Sequence, residues 1–122
     1  MIIAIDFDGT CVKHRYPEVG EDIGAAPVLK ALVEKGHKLI LYTMRSGEQL
    51  EEARLWFWKH GLPLYGVQTN PTQHTWTTSP KCYAQLYIDD AALGCPLIDE
   101  PGERPWVDWI KVHDLLVNYG VL

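Results

Sequence analysis

The chain has 122 residues, 47% of them hydrophobic and 22% charged, with a formal net charge of −5. That length and apolar fraction suit one domain around a single core. The acidic balance argues against broad binding to nucleic acids or acidic membranes, though not against a local grip on one nucleic-acid end.

The residues 2–5 (Ile-Ile-Ala-Ile) form a β-branched run that predicts a buried strand, ended by Asp6-Phe7-Asp8-Gly9-Thr10. The stretch 11–24 is mixed, holds Pro17 and Gly20, and reads as a loop or small flap. Over 27–35, Val28, Leu29, Leu32 and Val33 fall at helical spacing, with Pro27 in the first turn and Gly36 as the stop. Residues 38–42 predict a second buried strand ending at Thr43. A helix follows over 47–60, with Gly61 as its stop, and then a short strand over 65–67. The polar stretch 70–80 holds two prolines and predicts a loop, a lid candidate beside the flap. A strand over 85–88 runs into Asp89-Asp90. A weak strand near 96–98 and a helix over 106–118 complete the chain. Strands alternating with helices imply a three-layer α/β/α sandwich, Rossmann-like, with a central parallel sheet and helices on both faces.

No apolar run reaches ~18 residues, so no membrane helix is expected. The N-terminus lacks a basic stretch leading into a long apolar one, so no secretory signal is expected. Cys11, Cys82 and Cys95 form no CxxC pair, which argues against a disulfide framework or zinc site and points to a reducing cytoplasm.

In a parallel sheet the strand tips share one edge, where open α/β sheets take ligands. Asp6, Asp8, Thr43, Asp89 and Asp90 would converge there, with Lys81 shortly before the last pair. Clustered carboxylates repel unless a cation or shared proton compensates, and magnesium takes oxygen ligands of this kind.

With those residues in view, the chain resembles the haloacid dehalogenase-like superfamily of phosphotransferases. Asp6-Phe7-Asp8-Gly9-Thr10 matches its DxDxT motif, Thr43 its second motif, Lys81 its third, and Ile88-Asp89-Asp90 its fourth. The resemblance implies a phosphatase that works through an aspartyl-phosphate on Asp6. Asp8 would be the general acid and then the general base. It further implies Mg2+ held by Asp6, the Asp8 backbone carbonyl, and Asp89 or Asp90. Thr43 would bind a phosphoryl oxygen, with Gly9, Thr10, Met44 and Arg45 completing the phosphate-binding set. Lys81 would offset charge on Asp6 and the transferring group. An acid at position 8 favours phosphate transfer over carbon–halogen cleavage.

Neither gap between motifs has room for another packed domain, which usually needs at least ~50 residues. The site is therefore expected to lack a cap and to stand open, over a single domain spanning 1–122. Such a site suits a phosphorylated small molecule or the phosphate of a macromolecular end, and no membrane partner. A non-catalytic binding protein that keeps the fold is the alternative from another class.

Several residues carry two readings. Arg45 either reaches a substrate anion or makes a surface salt bridge. Lys13, His14 and Arg15 form a basic entrance or, as we favour, simply a solvated loop. His74 and Trp76 either cover substrate or belong to the loop. Trp56 and Trp58 cannot share a helix face, so at least one is exposed or at an interface, which leaves homo-oligomer formation open. Trp106 and Trp109 read as core.

Overall fold

The computed structural model describes residues 1–122. Strands β1 (Ile2–Ile5), β2 (Lys38–Leu41), β3 (Leu64–Val67) and β4 (Leu86–Ile88) form a parallel sheet in the order β3-β2-β1-β4. Ile5 lies opposite Leu41 on one side and Ile88 on the other, so three strands end level. Their C-terminal tips therefore meet at one edge, as the alternating pattern predicts.

Helices α1 (Ala25–Glu34) and α2 (Gly47–Lys59) connect the first three strands, and α3 (Trp109–Asn118) comes last. The expected start of α1 moves from residue 27 to 25, leaving Pro27 inside the first turn. The helix expected over 106–118 begins later, because Trp106 and Val107 are strand β6. Asp108 then caps α3, its Oδ1 accepting from the N–H groups of Ile110 (3.1 Å) and Lys111 (3.2 Å). The weak strand expected near 96–98 exists as β5 (Leu97–Ile98). It pairs antiparallel with β6 in a hairpin outside the main sheet.

The two faces of the sheet are covered differently. Ile3, Ile5, Leu39, Leu41 and Ile88 join one core with Leu29 and Leu32 of α1, Trp56 and Phe57 of α2, and Val112 and Leu116 of α3. All three helices thus contribute to the same side. Ala4 and Ile40 are also buried but lie outside that core, as period-2 alternation requires. Irregular chain lies against that second face. The Tyr65 hydroxyl pairs with Thr72 Oγ1 (3.2 Å), and the Tyr87 hydroxyl donates to the Cys82 carbonyl.

This irregular stretch is organised by two buried amides. Gln73 Nε2 donates to the carbonyls of Ser79 (3.0 Å) and Lys81 (2.7 Å), and its Oε1 accepts from the Tyr83 N–H (2.7 Å). Asn70 Nδ2 donates to the Tyr83 carbonyl (3.0 Å). The stretch 70–80, expected as a loop, holds a single 3₁₀ turn at Gln73–Thr75. It forms a cover for the sheet rather than a lid over the strand tips. No cap domain stands over the sheet, and no helix is long and apolar enough to cross a membrane.

Candidate functional site

Asp6 is the first residue beyond β1, and its N–H still donates to the Ile88 carbonyl of β4 (3.0 Å). That pairing brings Asp6 beside Asp89 and Asp90. One carboxylate oxygen from each lies within 4.8 Å of the others, close enough for one cation. Thr10 ties the two strand ends together. Its hydroxyl donates to Asp6 Oδ2 (2.8 Å) and accepts from the Asp90 N–H (3.0 Å). Thr10 is fully buried, and its hydroxyl is engaged in positioning the acids.

His14 Nε2 lies 2.9 Å from Asp90 Oδ2, the one nitrogen base bonded to the cluster. Gly9 makes room for this pair: a Cβ there would fall 2.0 Å from His14 Nε2 and 2.6 Å from Asp90 Oδ2, and its φ is +78°. A side chain is thus excluded by both space and backbone. The C-terminal region holds the same loop from behind. Val107 N–H donates to the Gly9 carbonyl (2.9 Å), and Trp109 Nε1 donates to the Thr10 carbonyl (2.7 Å).

Burial, followed by the nearby Asp89 charge, pushes the Asp6 carboxyl up to about 8. Burial also raises Asp89. Three crowded oxygen donors with so little compensating charge fit a hard divalent cation, which would favour their ionised forms.

Asp8 stands apart from this cluster. Both of its oxygens accept from Arg45, from Nε and from Nη2, each at 2.8 Å. Arg45 is 1% exposed. Its remaining N–H groups reach the carbonyls of Pro17 (3.2 Å), Gln49 (3.3 Å) and Glu18 (2.7 Å). The guanidinium also lies against the rings of Phe7 and Tyr16. The surface salt bridge expected as one reading of Arg45 does not hold: it forms an internal clamp on Asp8 at the wall of the cleft.

Thr43 is held by the loop that Arg45 belongs to and by the end of β3. Its Oγ1 accepts from the Arg45 N–H (3.1 Å). Gln68, with a positive φ of 65°, accepts the Thr43 N–H at Oε1 (2.9 Å). Its Nε2 donates back to the carbonyls of Thr43 (2.6 Å) and Arg45 (3.1 Å). Nothing in the sequence pattern singled out Gln68, because its role depends on where β3 ends.

An open cleft of about 560 Å³ lies over these strand tips. Asp6, Asp8, Thr43, Met44, Arg45, Asp89 and Asp90 all line it, and so does His14. Lys81 does not. It is exposed, with Nζ 5.9 Å from the Tyr87 ring centroid. The structure therefore does not bring the expected third-motif lysine to the acids. Arg104, in the turn between β5 and β6, lines the cleft instead. It follows all four motifs, so motif spacing gave no signal for it.

The basic run after the first motif is partly exposed, but its side chains are paired within the protein. Arg15 pairs bidentately with Glu103 (2.9 and 2.8 Å), and Lys13 lies over the Trp106 ring at 4.4 Å. These contacts fasten the flap 11–24 to the β5–β6 hairpin. His74 and Trp76 lie outside the cleft, Trp76 packing edge-on against Tyr83. The tryptophan expectations hold: Trp56, Trp106 and Trp109 are buried, while Trp58 is 76% exposed.

No protein-family model matches the chain, and no curated protein matches it. Among solved structures it is similar to one described as "Structure of the conserved protein coded by locus from Bacteroides thetaiotaomicron". The two share 38% sequence identity over 98% of this chain and 91% of the other, with a TM-score of 0.78.

Proposed function

This chain belongs to the same family as that conserved Bacteroides protein, and from the acidic strand tips we propose that it is a magnesium-dependent phosphatase of the haloacid dehalogenase-like kind. The observation that carries this reading is the meeting of Asp6, Asp89 and Asp90 within 4.8 Å at one sheet edge. The ordered motifs from Asp6 to Asp90 support it. The parallel sheet with its motifs at one edge supports this relation, while irregular chain, not helices, covers the second face where the expected three-layer sandwich would have its other helical layer. The free thiols of Cys11, Cys82 and Cys95 agree with a cytoplasmic setting.

Asp6, Asp89 and Asp90 would hold the Mg2+, which when bound would offset most of the acids' charge and ease the approach of a phosphate dianion. Asp6 attacks phosphorus: the new bond joins its carboxylate oxygen to phosphorus, and the ester oxygen leaves with the bonding pair. Water then attacks the aspartyl-phosphate at phosphorus, releasing inorganic phosphate and the Asp6 carboxylate. Thr43 would donate to a phosphoryl oxygen; that its Oγ1 accepts the Arg45 N–H and its proton has no acceptor within the protein supports this role. Asp8 serves the leaving oxygen and then water as acid and base. Each of its oxygens accepts a single Arg45 N–H and so keeps a second lone pair for the transferred proton. The cleft is open and uncapped, so a phosphorylated small molecule or the phosphate of a macromolecular end can reach it.

A non-catalytic cation- or phosphate-binding protein is the second reading. Two observations favour it: both Asp8 oxygens accept from Arg45, and Lys81 lies away from the acids. One experiment separates the two. Phosphate release is measured with and without magnesium from p-nitrophenyl phosphate, sugar phosphates, nucleotides, end-phosphorylated oligonucleotides and a phosphopeptide, using wild type and Asp6→Asn. Metal-dependent turnover that falls to background in Asp6→Asn is expected. Folded, magnesium-binding wild type that turns over no ester establishes the binding reading instead.

A further inference from the structure

We propose that Arg104 is the cationic phosphate-binding residue of this cleft, taking the part that motif order gives to Lys81. The proposal rests on the phosphatase reading and goes beyond it, because Arg104 lies after all four motifs.

The other cations near the acids are already engaged. Arg45 is spent on Asp8 and on backbone carbonyls inside the protein. Arg15 is held by Glu103 and Glu21, and Lys13 lies 3.9 Å from the same two carboxylates. His14 is bonded to Asp90. Arg104 alone lines the cleft as an exposed cation with no ion pair or side-chain hydrogen bond.

Its surroundings are nevertheless fixed. Glu103 is pinned to Arg15 through both carboxylate oxygens, and the Glu103 N–H closes a turn onto the Glu100 carbonyl (3.1 Å). The backbone carrying Arg104 is thus anchored to the flap while its guanidinium stays free. A planar guanidinium matches two phosphoryl oxygens at once, which a lone ammonium does not. A divalent cation offsets only two of the three carboxylate charges, so a dianion entering the cleft still needs positive charge from the protein, and Arg104 is the unpaired cation that lines it.

The test compares wild type, Arg104→Gln, Arg104→Lys and Lys81→Gln. It reads KM and kcat for p-nitrophenyl phosphate, inhibition by inorganic phosphate, and calorimetric binding of inorganic phosphate with magnesium present. Arg104→Gln is expected to raise KM and weaken phosphate inhibition and binding by about tenfold to a hundredfold, the range of a charged hydrogen bond, with a smaller change in kcat. Arg104→Lys should recover part of that loss, and Lys81→Gln should leave phosphate affinity unchanged. Unchanged phosphate affinity in Arg104→Gln overturns the proposal, as does finding the loss in Lys81→Gln instead. Should wild type turn over no ester, the phosphatase reading fails separately. The calorimetric comparison then decides Arg104 alone: binding lost in Arg104→Gln sustains it, and equal binding, or none to wild type, overturns it.

Discussion

Asp6 faces the end of β4, where it has the Thr10 hydroxyl at 2.8 Å and two more carboxylates within 4.8 Å. Asp8 faces the end of β2, where a buried arginine grips both of its oxygens at 2.8 Å. The two acids share one strand tip and one motif, yet one is crowded by negative charge and the other is fully paired. Environments that separate neighbouring carboxyls in this way are how one site acquires two chemical roles. Asp6 is the group that gains from a cation. Asp8 is the group held by a protein contact.

The comparison breaks most visibly at Arg45. Arg45→Ala removes the clamp and leaves Asp8 together with the Pro17, Glu18 and Gln49 carbonyls without their donor. Breaking a buried pair from one side costs about 3–5 kcal/mol, to be read as a lower urea midpoint. The double variant Asp8→Ala/Arg45→Ala should lose less than the sum of the two single changes, because no unpaired charge remains.

A second effect concerns pH and sharpens the Asp6 side. The Asp6 carboxyl lies at about 8 in the folded, metal-free protein and near 3.8 when unfolded. Its contribution to stability is therefore fully present below about 3.8 and is lost as pH rises through about 8. With a chelator present, wild type should lose thermal stability relative to Asp6→Asn across that window, and added magnesium should narrow the gap at pH 8. Equal pH slopes in the two proteins would contradict the crowding of Asp6.

The smallest effect lies at the rim. Glu103→Gln loosens the flap from the hairpin without touching either acid, so it should lower the melting temperature only slightly. Added salt should erase the difference, as befits an exposed pair.

Much of this arrangement is readable from residue patterns alone. The β-branched runs ending in Asp6 and in Asp89-Asp90 predict two tips of one parallel sheet, and the sheet delivers them to one point. The ends of α1 and α3 are harder to place, because capping decides them: Asp108 outcompetes the apolar continuity of Trp106 and Val107. Arg45 is misread because a basic residue after a strand usually meets solvent. Its burial depends on carbonyls supplied by the flap, which no local pattern encodes. Arg104 is invisible for the same reason, since a hairpin folding back over the tips brings it there. Lys81 follows the motif order, but the chain around it is committed to Gln73 and to the far face of the sheet.

The bond from Trp109 to the Thr10 carbonyl spans 99 positions of the chain. During translation, β1 and the loop after it are made long before α3 exists. A nascent polypeptide can pair its first strands, but its acidic loop lacks this backing until the last helix has left the ribosome. Contacts so distant in sequence form late because closing the intervening chain is entropically slow. The loop that carries Thr10 thus takes its backing from a residue made 99 positions later.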